Sequence, residues 1–115
     1  MCAPSIAQHA AVVALKMDHS AKVDAYREKR DLAYTLLSEK FTVQKPNGAF
    51  YIFPQAPEID GVCDGDAFVA QAIANNVLII PGSVFSEQNT HFRISFAAKN
   101  EVIKRGIEVI SGLVE

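Results

Sequence analysis

The sequence predicts an α/β chain of the two-layer α+β kind, a small mixed or antiparallel sheet covered by helices in the order α-α-β-β-α-β-β-α. Three observations carry that prediction. Apolar residues recur at helical spacing through several long stretches, among them Ser20 to Lys40 and Asn100 to Val114. Residues His91 to Ala97 alternate, which sets Phe92, Ile94 and Phe96 on one side of a strand and His91, Arg93 and Ser95 on the other. Finally, the apolar run Val77-Leu78-Ile79-Ile80 stops abruptly at Pro81-Gly82, as a fully buried strand does at a sharp turn.

The elements follow in order. In Ser5 to Met17, Ile6, Ala10, Val13 and Met17 recur at helical spacing and Ser5 is placed to cap the start, so a mostly buried helix is expected. This helix is apolar nearly all round and needs cover on several sides. Spacing leaves open whether upstream polypeptide or the rest of this small domain supplies that cover. From Ser20 to Lys40, Val23, Tyr26, Ala33, Leu36 and Leu37 oppose Lys22, Glu28, Lys29 and Asp31, the pattern of a surface-packed helix. Aromatic and β-branched residues between Phe41 and Phe53, interrupted by Pro46-Asn47-Gly48, suggest a β-hairpin. Gln55 to Gly65, with Pro57, Asp60, Gly61 and Asp64, reads as a loop whose Asp64 or Asp66 caps the next helix. That helix runs from Asp66 to Asn75 with Phe68, Val69, Ala72 and Ile73 inward. Ser86 to Thr90 is a polar loop, and Asn100 is placed to cap the last helix, with its stripe of Val102, Ile103, Ile107, Ile110, Leu113 and Val114.

Bulk properties narrow the function. With 115 residues, half of them hydrophobic, residues 1–115 are expected to form one soluble domain with a real core. A formal charge of -2, with eleven Lys and Arg interspersed among acids, gives no basic field, so no nucleic acid partner is expected. Cys2 and Cys63 lie far apart and form no C-x-x-C pair, and His9, His19 and His91 are scattered, so no metal site is expected. Asp60, Asp64 and Asp66 with Gly61 and Gly65 lack the register and terminal glutamate of a calcium loop, which favours a capped loop. The start of the chain has no cationic segment followed by an apolar run, and no stretch approaches the ~18 apolar residues of a membrane span. No membrane partner and a cytoplasmic location are the expectation.

The chemistry-bearing feature is Val77-Leu78-Ile79-Ile80-Pro81-Gly82-Ser83-Val84-Phe85, a short polar loop, and then His91-Phe92-Arg93-Ile94-Ser95-Phe96-Ala97. This arrangement resembles the C-terminal signature of the class I/II, fold type I aminotransferases that depend on pyridoxal phosphate, aspartate aminotransferase among them. Pro4-Ser5-Ile6-Ala7-Gln8-His9-Ala10-Ala11 resembles the family's helix ahead of its small domain, and Pro46-Asn47-Gly48-Ala49-Phe50-Tyr51 resembles its P-x-G-[AG]-F-[YF] strand. With the final helix begun by Asn100-Glu101, the resemblance spans essentially the whole chain.

The resemblance implies the family's C-terminal small domain, in an enzyme that moves an amino group between an amino acid and a 2-oxo acid and works as a homodimer. It gives Arg93 the role of binding the substrate α-carboxylate. A guanidinium meets a carboxylate through two parallel charge-assisted bonds and so fixes orientation as well as charge. Read without the resemblance, Arg93 would be a solvated strand residue paired with a neighbouring acid. Gly48 would lie near the substrate side or serve a plain turn, and Ser83 and Phe85 would line the site's mouth or act as cap and core. Motifs resembling those of the family's catalytic lysine and of its cofactor phosphate site do not occur in the sequence, and Lys16, Lys22 and Lys40 stand in unlike contexts. The expectation is a fragment with no catalytic residue and no cofactor of its own, inert in isolation. A free-standing module that binds a small carboxylate or a protein partner is the alternative.

Overall fold

Phenylalanines organise the interior. The Phe41, Phe68 and Phe92 rings meet at centroid distances of 5.8, 5.4 and 4.9 Å, edge-on or tilted, which is the geometry their quadrupoles favour. Around them pack Leu37, Ile52, Ile79, Phe96, Ile103, Ile107 and Ile110, all buried. The computed structural model describes residues 2–59 and 61–114; Met1, Asp60 and Glu115 lie outside the described residues, and with them the reading of Asp60 as a loop residue.

The elements are α1 (Ser5–Ala14), α2 (Ser20–Leu37), β1 (Tyr51–Ile52), β2 (Glu58–Ile59), β3 (Val62–Cys63), α3 (Gly65–Ala74), β4 (Ile80–Pro81), a single 3-10 turn (Gly82–Val84), β5 (Phe92–Ser95) and α4 (Asn100–Ser111). Strands β1, β5 and β4 form a three-stranded antiparallel sheet in that order, with Ile52 opposite Ile94 and Ile80 opposite Arg93. β2 and β3 form a separate antiparallel hairpin. Helices α2, α3 and α4 supply Ala33, Leu37, Phe68, Val69, Ala72, Ile103, Ile107 and Ile110 to the core, so the sheet is covered as an α+β layer pair.

Several local expectations are corrected. α1 was expected to be mostly buried, but none of its residues is buried, and Ile6 is 83% exposed. Its composition suits burial, but no described element covers it. Ser5 is the first helical residue; Pro4 precedes it, and no side chain caps the start. α2 ends at Leu37 rather than Lys40, and its early turns leave Val23 and Tyr26 exposed.

No hairpin forms across residues 41–53. The Phe41 N–H donates to the Leu37 carbonyl, which turns the chain off α2 and drops the ring into the core. Tyr51–Ile52 then pairs with β5, while Gln55 N–H donates to the Thr42 carbonyl. The loop expected over 55–65 contains the β2–β3 hairpin. Of the run Val77 to Ile80 only Ile80 enters the ladder; Ile79 is buried, but Leu78 is 81% exposed, so this is not a fully buried strand. Ile73 and Val102 are exposed as well, and Asn100 begins α4 without capping it, Lys99 holding the cap position.

Candidate functional site

Antiparallel register builds the site. Tyr51 stands opposite Ser95, which puts Arg93 two residues along on the same face, a diagonal neighbour within reach of a long or aromatic side chain. Phe92, Ile94 and Phe96 take the other face, with Phe92 and Phe96 fully enclosed, as the alternation required. The Arg93 Cζ lies over the Tyr51 ring at 4.2 Å and over the Phe85 ring at 4.6 Å. Phe53 extends this face: its ring stacks on His91 at 5.2 Å, nearly parallel at 8°, and meets Phe85 edge-on at 6.3 Å. Thr90 Oγ1 holds His91 Nδ1 at 2.8 Å.

The turn that delivers Phe85 is fixed tightly. Gly82 N–H donates to the His91 carbonyl at 2.7 Å, and a Cβ at Gly82 would lie 2.7 Å from that same oxygen, so only glycine fits this close approach. Beyond the turn, Ser83 Oγ donates to Asp66 Oδ1 at 2.6 Å, and Asn89 Nδ2 donates to Asp64 Oδ1 at 2.7 Å. Asp64 caps α3 by accepting the Ala67 N–H at 3.0 Å, and Asp66 N–H donates to Asn89 Oδ1 at 2.9 Å. Chiefly through the Ala67 bond, which outweighs a smaller desolvation, the Asp64 carboxyl is held below its ordinary pKa; Asn89 and the Asp66 N–H add to the effect. The polar loop carrying Ser83 to Thr90 is thereby tied to the start of α3.

Arg93 is half-buried, and among the described residues no ion pair or side-chain hydrogen bond reaches its guanidinium. Its donors are available to a ligand, and the pairing with a neighbouring acid that the bare sequence suggested is not made. Ser83 is committed to Asp66, whereas Phe85 stands at Arg93 with half its surface exposed. Gly48 has open space where a Cβ would stand, and the left-handed backbone in this segment falls on Ala49 instead, at φ 58. Cys63 is a free thiol whose Sγ donates to the Ala56 and Thr90 carbonyls at 3.2 and 3.3 Å; Cys2 is free and exposed. Among the described residues no three His, Cys, Asp or Glu side chains gather as a metal site would require, and no helix is long and apolar enough to cross a membrane.

Tyr51, Phe53 and His91 were not singled out as partners of Arg93 in the sequence. The signal that could have found them is the register between the Tyr51 and Arg93 strands, which alternation within either strand alone does not supply.

Fold and site together define a small α+β domain that presents one arginine fork on an aromatic sheet face. By sequence and by structure this chain matches the C-terminal part of a fold type I aminotransferase. It is 38% identical over 118 residues to a protein of Methanocaldococcus jannaschii named a probable aspartate aminotransferase, covering 99% of this chain and 31% of that one. It is 35% identical over 122 residues to the aspartate aminotransferase of Sulfolobus acidocaldarius, covering 98% and 30%. The aspartate aminotransferase of Thermotoga maritima superposes with a TM-score of 0.81 at 28% identity, over 97% of this chain and 29% of that structure. No family model matches the chain. The chain spans about 30% of the length of the curated relatives it matches.

Proposed function

We propose that residues 1–115 act as the small domain of an aminotransferase, in which Arg93 receives the α-carboxylate of an amino acid or 2-oxo acid. The whole enzyme would exchange an amino group between the two through pyridoxal phosphate, as a cytoplasmic homodimer. The observation that carries this reading is the Arg93 fork, half-buried and, among the described residues, unpaired on the Tyr51–Phe85 face, in a chain whose relatives are aminotransferases. A planar fork with free donors is suited to a carboxylate, and substrates of transamination carry one beside the reacting carbon.

The side chains gathered at Arg93 fit a carboxylate and do not fit the cofactor. Tyr51, Phe53, Phe85 and His91 include no lysine that could couple to the pyridoxal aldehyde. The 115 residues alone are expected to be inert because no motif resembling that of the family's catalytic lysine occurs in their sequence. The uncovered apolar sides of α1 favour this reading over a free-standing binding module, which would seal its own surface.

The test is a chimera in which this chain replaces the C-terminal third of the Sulfolobus relative. Transamination by the chimera, with Arg93→Lys lowering kcat/KM on the order of 100-fold, is the expected result. A chimera that binds cofactor normally and is indifferent to Arg93→Lys would remove Arg93 from the substrate site. Pyridoxal phosphate added to the isolated chain, followed by borohydride, should label no specific lysine; a stoichiometric adduct would overturn the expectation of inertness.

A further inference from the structure

Three arginines of this chain are held in two different ways, while Arg105 on α4 stands exposed with no ion pair or ring contact among the described residues. Arg27 is paired with Asp24, and Arg30 with Asp31 at 2.7 Å, so their charge is met by an internal carboxylate. Arg93 is held by rings. Its Cζ lies 4.2 Å from the Tyr51 centroid and 4.6 Å from that of Phe85, both well inside cation–π range. An internal acid would fix the guanidinium by occupying the same donors a ligand carboxylate needs. Aromatic faces attract the cation and restrict the side chain's many rotamers, yet leave the N–H fork free.

We propose that Tyr51 and Phe85 are positioning residues, a ring clamp that orients the Arg93 guanidinium and keeps its fork free for a carboxylate. The proposal rests on the carboxylate reading of Arg93 above and adds the means by which the fork is set. The rings come from separate places, β1 and the loop after the Gly82–Val84 turn. Phe85 is itself braced edge-on by Phe53, which stacks on His91. The close approach of Gly82 to the His91 carbonyl fixes the turn leading to Phe85. The clamp therefore depends on backbone geometry already accounted for, and it explains why so many aromatic side chains stand on the solvent side of this sheet rather than in the core.

Leucine keeps most of the apolar bulk of either ring and removes the π-face, so Tyr51→Leu and Phe85→Leu isolate the clamp, while Tyr51→Phe keeps the ring and removes only the hydroxyl. The experiment is NMR on the 15N-labelled 115-residue chain, following the Arg93 Nε–H and Cδ protons during titration with pyruvate, with methyl pyruvate as the uncharged control. In the unsubstituted chain the Arg93 signals should sit upfield from ring currents and should respond to pyruvate alone. Each leucine variant should release that upfield shift and weaken pyruvate binding about tenfold, with backbone amide signals elsewhere unchanged. Tyr51→Phe should behave as the unsubstituted chain. Phe85, half-exposed in a loop, gives a variant whose fold is not at stake should Tyr51→Leu unfold the sheet edge. Arg93 signals without an upfield shift, or pyruvate binding unaltered in the leucine variants, would overturn the clamp while leaving the carboxylate reading in place. Upfield Arg93 signals that ignore pyruvate would overturn the carboxylate reading, and the clamp's role with it.

Discussion

Helices α1 and α4 invite comparison, because each carries enough apolar residues to build a core. α1 reads Ser-Ile-Ala-Gln-His-Ala-Ala-Val-Val-Ala without a charged residue, and no residue of it is buried. α4 carries Glu101, Lys104, Arg105 and Glu108 on its outer side, packs against α2, and buries Ile103, Ile107 and Ile110 in the core. Amphipathic spacing therefore tells where a helix packs, because charges forbid every other orientation. An uncharged apolar helix can be covered from any side, so its sequence states that it wants cover without stating from where.

Substitution should separate the two helices sharply. Ile107→Ala deletes buried methyl groups and leaves a cavity beneath α4, and is expected to cost about 2–5 kcal/mol by urea unfolding of the 115-residue chain. Ile6→Gln or Val13→Gln in α1 should change stability by no more than about 0.5 kcal/mol each, since both side chains stand in solvent. A loss above 1 kcal/mol on the α1 side, rising with protein concentration, would mean that α1 finds cover in solution by association.

The helix starts sharpen the same contrast. α3 opens on Asp64, whose carboxylate accepts the Ala67 N–H, whereas α1 opens after Pro4 with no side-chain cap. The Asp64 pKa is lowered on folding, so its stabilisation is fully present above the ordinary aspartate value of 3.8 and is lost as pH falls through the lower folded value. Asp18 and Asp31 shift in the same direction, so the difference from Asp64→Asn isolates this cap. The variant, still able to cap through its amide oxygen, should show a shallower acid-side loss of stability below pH 4 in parallel unfolding titrations. Identical slopes would mean the Asp64 bonds do not form in solution.

What the sequence disclosed followed the same rule. The stripe of α4, the inward face of α3 at Phe68, Val69 and Ala72, and the alternation around Arg93 were legible because polar neighbours fix their orientation. The hairpin expected between Phe41 and Phe53 does not form because its aromatic and β-branched composition has two outlets, pairing or core burial, and Phe41 took the second. Leu78 was misread for a related reason: a continuous apolar run carries no period, so nothing in it says which residue faces out. Arg93 was legible from its motif as a candidate only. Its setting was not, because Tyr51 and Phe85 reach it through register and a turn, and neither is written in local spacing.

A modest gain in stability is expected in the segment leading into β1. Turn chemistry at Pro46-Asn47-Gly48 drew attention to Gly48, yet the left-handed backbone falls on Ala49, whose Cβ makes that conformation unfavourable. Ala49→Gly should relieve this and stabilise the chain by about 0.5–1 kcal/mol in urea unfolding, partly offset by the freedom glycine adds to the unfolded chain. A loss of stability would show that the backbone at residue 49 does not hold a positive φ in solution. A gain in stability accompanied by weaker pyruvate response at Arg93 would carry more meaning. Phe50 and Tyr51 follow directly, with their rings 4.5 Å apart, and the strained residue would then be what sets the angle at which the Tyr51 ring meets the guanidinium.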